Sequence, residues 1–174
     1  MLKRTFVAAV AALAVAGLAV AQPGAKPNDA QIAHIAYTAG TIDIAAAKQA
    51  LAKTKNAQVR SFAEEMVRDH TAVNDKALAL VKKLGVKPED NPTSQSLSAA
   101  AKQKHADLAK LSGKAFDVAY AQNEVAYHKT VNGALESTLI PGAQNAELKS
   151  LLQTGLKLFQ EHEQHAEHLV TALK

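Results

Sequence analysis

The residues of this chain best suited to chemistry are its seven histidines: His34, His70, His105, His128, His162, His165 and His168. There is no cysteine, which excludes thiolate metal sites, thiol nucleophiles and disulfides. Imidazole acts near neutral pH as an acid, a base or a metal ligand. Four of the seven fall on apolar faces at helical spacing. His70, preceded by Asp69, interrupts a face of Phe62, Met66, Val73 and Ala77. His128 interrupts Val118, Ala121, Val125, Val131 and Leu135, and His162 and His165 interrupt Leu148, Leu151, Gly155, Leu158 and Leu169. Polar groups on such a stripe are costly to bury unless something satisfies them.

Carboxylates accompany these imidazoles. Glu124 stands four residues before His128, and Glu161 four before His165, so each pair shares one side of a helix. The candidate ligands are therefore His70, His128, His162 and His165, supported by Asp69 and Glu124. Imidazole suits zinc, copper or iron, and Met66, four residues before His70, would favour copper(I) if its sulfur took part. The structural alternative is that Asn74, Tyr120, Tyr127 or backbone carbonyls satisfy the same groups, and that the polar layer only fixes helix register. Two catalytic readings find no support. A di-iron bundle needs Glu-x-x-His on two helices, whereas three residues after Glu124 comes Tyr127 and three after Glu161 comes Gln164. No Gly-x-Ser-x-Gly elbow and no glycine-rich phosphate loop is present. The sequence assigns no reaction, and the reading leans towards a protein that is not an enzyme.

Helices must position these groups. Aromatic residues are 4% and apolar residues 48% of the 174 positions, a balance that suits packed helices better than sheets. Periodicity predicts long helices over 29–53, 57–84, 114–139 and 145–173, and a shorter one over 94–111. Gly85 and Pro141-Gly142 are stop signals, and Val86–Thr93, with Pro88 and Pro92, reads as a linker. No window alternates as a strand does. At a 1.5 Å rise per residue the long helices reach roughly 40 Å. The expected fold is all-α: a four-helix bundle with one additional short connecting helix. His70 and His128 sit near the middle of their helices and His162 about one turn past the middle of its own. The three can therefore meet in one layer whichever way the helices point.

The first 21 residues read as a signal peptide. Lys3 and Arg4 precede an apolar run, Phe6–Val20, and Ala19-Val20-Ala21 supplies small residues for cleavage. Residues 22–28 read as a mobile leader and residues 29–173 as the helical domain. The expected location is periplasmic or secreted, with no integral membrane segment after cleavage. Of the 20 basic and 16 acidic residues, Lys3 and Arg4 belong to the leader, so removing it lowers the net charge from +4 to +2. Lysines interleaved with acids describe a solvated surface, not a nucleic-acid stripe.

Three blocks in order are similar to one family. Phe62-Ala-x-x-Met66-Val-x-Asp69-His70-Thr-x-x-Asn74, Gly113-Lys-Ala-Phe116-Asp117-x-x-Tyr120 leading to His128, and Asn145-x-Glu-Leu148-Lys leading to a histidine resemble the DUF4142 family of exported bacterial proteins. The resemblance covers about 29–173. It implies a ferritin-like bundle, export and association with the outer membrane or envelope, but no activity, ligand or protein partner. The motif residues it implies are Asp69, His70, Asn74, Asp117, Tyr120 and His128, with His162 or His165 in last place.

Overall fold

The computed structural model describes residues 26–174; the expected signal peptide, at 1–21, lies outside them. Five helices of three or more turns follow in order: α1 (Asp29–Lys53), α2 (Ala57–Lys83), α3 (Pro92–Ala109), α4 (Gly113–Ala134) and α6 (Ala146–Ala172). Between α4 and α6 come a π turn, Leu135–Leu139, and the short α5, Ile140–Gly142. No strand occurs among the described residues.

Side-chain caps set the helix starts. Asn28 and Gln31 form a capping box at α1, Asn56 caps α2, and Asn145 caps α6, each satisfying amide groups that the first turn leaves free. Gly85, at φ +65°, closes α2. Its amide donates to Lys82 O, and that of Val86 donates to Val81 O at 3.0 Å, the paired arrangement that ends a helix on a left-handed residue.

Two prolines behave differently from expectation. Pro92 does not prevent helix formation but begins α3 behind the cap Asn91, where a missing N–H costs nothing. Pro141 does not stop the chain at Leu139. It cannot donate to the carbonyl four residues back and its ring crowds that carbonyl. The widened turn at Leu135–Leu139 precedes it, and the helical path continues to Gly142.

The direction of each helix follows from contacts at its ends. The Glu89 amide donates to Ala30 O near the start of α1, while Lys53 Nζ donates to Ala109 O at its end. So α3 runs alongside α1 and carries the chain back along the bundle. Asp29 accepts the amides of Gln144 and Asn145, both at 2.8 Å, which anchors the start of α6 beside the start of α1. Thus α1 and α6 run one way, and α2 and α4 the other. A bundle with one long crossover is the ferritin-like arrangement.

Two apolar clusters fill the interior. One holds Val59, Phe62, Met66, Phe116, Tyr120, Ala166 and Leu169. The other holds Ile32, Ile35, Leu135, Leu139, Leu148, Leu152 and Phe159. On each of the four long helices a buried polar residue lies between the two: Asp43, His70, Glu124 with His128, and His162. A polar layer therefore crosses the middle of the bundle.

Candidate metal centre

Each long helix contributes to the layer because its inward stripe steps by three or four residues. On α1 the stripe Ile32, Ile35, Ala39, Asp43, Ala46, Ala50 carries one acid. Residues Phe62, Met66, His70 and Asn74 do the same on α2, as do Tyr120, Glu124 and His128 on α4 and Phe159, His162 and Ala166 on α6. Asp43, Glu124, His128 and His162 are each 1% exposed and His70 is 2% exposed.

The three imidazoles converge. Ring centroids lie 5.7 Å apart for His70 and His128, 5.3 Å for His70 and His162, and 5.5 Å for His128 and His162. One nitrogen from each lies within 4.8 Å of the others. Asp43 Oδ2 stands 3.6 Å from His70 Nε2 and 3.6 Å from His128 Nε2. Ligands about 2.1 Å from a tetrahedral ion lie roughly 3.4 Å from one another, so these separations suit donors around one ion. Glu124 joins Asp43 and His128 in a second set of donors within the same distance.

Hydrogen bonds fix the orientations. His128 Nδ1 lies 3.0 Å from the Glu124 carbonyl oxygen, which can only accept. The proton therefore sits on Nδ1 and the Nε2 lone pair faces the layer, the usual arrangement of a ligating histidine. The His70 ring stacks on Phe159 at 4.5 Å with 10° between planes. His162 Nε2 meets Asp69 Oδ2 at 3.2 Å, and Arg68 holds Asp69 through two bonds of 2.7 and 2.9 Å.

What remains is a set of buried atoms with no partner: both oxygens of Asp43, both nitrogens of His70, Nε2 of His128, Oε2 of Glu124 and Nδ1 of His162. Leaving one such group unsatisfied costs about 1–3 kcal/mol. Burial pushes the His70 imidazole well below its usual range, helped by His128 and His162. Burial also lowers His128 to about 4 and lowers His162, which Asp69 opposes. The carboxyls move the other way. Burial raises Asp43 to about 7, and burial and then Asp43 raise Glu124 well above the carboxylate range. Neutral imidazoles are the form that binds metal, and an incoming cation must displace the protons of the acids.

The structure brings together four of the six expected ligands, His70, His128, His162 and Glu124. Asp69 stands just outside, bonded to His162. His165 does not join them. Its side chain is 45% exposed, it meets Glu65 Oε2 at 2.6 Å and it packs edge-on against Phe62. Met66 is fully buried in the apolar cluster with Phe62. Of the motif residues, Asn74 donates to Tyr37 O and Thr41 Oγ1, while Asp117 and Tyr120 are buried on the Phe62 side of the layer. Asp43 is the acid that the sequence reading missed. Its signal was present: it is the only charged residue between Asp29 and Lys48, and it sits four residues after Ala39 on the stripe.

Among the described residues, no helix is long and apolar enough to cross a membrane. No curated protein and no solved structure gave a match. A family model described as a domain of unknown function, DUF4142, matches residues 14–169. The three sequence blocks, the ferritin-like bundle and this match over nearly the whole chain agree: the protein belongs to the DUF4142 family.

Proposed function

We propose that this protein binds one transition-metal ion in the middle of its bundle, with His70, His128, His162 and Asp43 as ligands and Glu124 held against Asp43. Three imidazoles and one carboxylate, without a thiolate, suit zinc(II), iron(II) or copper(II). The sequence of the N-terminal segment supports export, so the ion would be held in the periplasm or outside the cell. The observation that carries the reading is the set of buried, unpartnered donor atoms converging from four helices. A cation would satisfy them at once. The alternative, an envelope protein whose polar layer serves only helix register, leaves them unsatisfied.

Elemental analysis of tag-free protein after loading and desalting tests this. The expected result is one ion per chain, lost in His128→Ala and in Asp43→Asn. Wild-type protein that retains no zinc, iron or copper would overturn it.

A further inference from the structure

The donor atoms of the central layer are almost fully enclosed, so an ion needs a way in. A second group of donors lies on the seam between α2 and α6. Glu65 and Asp69 are four residues apart on α2, and His162 and His165 are three apart on α6. Because the two helices run in opposite directions, these residues pair crosswise: His165 Nδ1 with Glu65 Oε2 at 2.6 Å, and His162 Nε2 with Asp69 Oδ2 at 3.2 Å. Glu65, Asp69 and His162 each offer an atom within 4.8 Å of the others. Side-chain exposure falls along the row from 45% at His165 to 29% at Glu65, 16% at Asp69 and 1% at His162. His162 belongs to both donor groups, and its Nδ1 has no partner.

We propose that Glu65 and Asp69, with His162 at their inner end and His165 bonded to Glu65 at their outer end, form an outer cation site that passes a divalent transition-metal ion through His162 to the buried layer. The inference rests on the metal-binding reading above. Arg68 covers this outer site. It is 67% exposed, bonds both oxygens of Asp69 and reaches to 4.0 Å from Glu65 Oε1. An exposed guanidinium in that position is a replaceable counter-charge: when it swings away, the carboxylates are free for the arriving ion.

Stopped-flow absorbance with cobalt(II) as the probe reads the rate of filling, and desalted protein gives the final stoichiometry. Wild type is expected to fill the buried layer with one ion. The double variant Glu65→Gln/His165→Ala should fill at least tenfold more slowly and reach the same stoichiometry and final spectrum. Arg68→Ala should fill faster than wild type. The double variant filling at the wild-type rate overturns the outer site while leaving the central site intact, and so does its loss of the final ion. Wild type that takes up no cobalt, zinc, iron or copper at all overturns the central site itself. Arg68 and His165 are exposed and Glu65 is partly exposed, and circular dichroism confirms that each variant is folded.

Discussion

Two kinds of buried polar contact cross between the helices of this bundle, and they differ in how completely they are satisfied. The first kind pins helix to helix through backbone oxygens. Tyr127 Oη donates to Ala39 O at 2.8 Å, Asn74 Nδ2 to Tyr37 O at 3.3 Å, and Asn132 Nδ2 to Phe159 O at 3.3 Å and Glu163 Oε2 at 2.8 Å. These join α4 to α1, α2 to α1, and α4 to α6. The second kind is the layer of Asp43, His70, Glu124, His128 and His162, whose donor atoms face one another with protons or lone pairs unspent. Register needs only a few contacts, and Asn74, Tyr127 and the amide nitrogen of Asn132 supply them, while Asn132 Oδ1 is itself left without a partner. A further layer of unsatisfied groups adds cost without adding register. Single unpartnered atoms also occur at Asp117, Tyr120 and Asn132, but seven converge in the layer, and that concentration is the argument for a ligand there.

The comparison is sharpest where metal changes stability. An ion present at a thousand times its dissociation constant stabilises the fold by about 4 kcal/mol. At about 2–4 °C per kcal/mol for a domain of this size, Tm should rise by roughly 10 °C. His128→Ala should show no metal-induced rise, and Asn132→Ala should start lower but keep it. An equal rise in both variants would erase the distinction. The next effect concerns Gly40, where α1 and α2 approach so closely that a Cβ would collide with Asn74 Oδ1. Gly40→Ala should lower stability by about 1–3 kcal/mol in urea titration, with metal stoichiometry unchanged.

Acidity separates the two sets further. The folded apo protein holds the Asp43 proton up to about pH 7, whereas the unfolded chain loses it above the ordinary aspartate value of 3.8. This group's contribution to apo stability is therefore full below pH 3.8 and is lost as pH rises through 7. His128 runs oppositely: its contribution is full above 6.5 and is lost as pH falls to about 4. Metal must displace the Asp43 proton, so affinity should fall about tenfold per unit as pH drops below 7. Competition with a chelator measures this slope. The smallest effect belongs to Tyr127→Phe, which removes one bond to Ala39 O. It should cost about 1 kcal/mol and leave metal binding and its pH slope unchanged.

Much of this architecture was legible in the sequence. Caps and stops placed α1 at 29–53 and α2 within a residue of its end, because Asn28, Asn56 and Gly85 act locally. The convergence of His70, His128 and His162 followed from periodicity and helix length alone. His165 was misplaced for a geometric reason. A seven-residue frame through Leu151, Leu158 and His165 drifts by about 20° per heptad against a straight helix. The buried stripe of α6 is instead Leu148, Leu152, Gly155, Phe159, His162, Ala166 and Leu169. Asp43 was missed because Ile42, its apolar neighbour, fits a three- or four-residue step almost as well. The part played by Glu65 depends on the pairing of α2 with α6, which no single helix reveals.

X-ray absorption at the edge of the bound metal tests the central claim most directly. The account predicts a first shell of nitrogen and oxygen donors with the multiple scattering of three imidazoles. A shell of oxygen donors alone, without imidazole scattering, would contradict it.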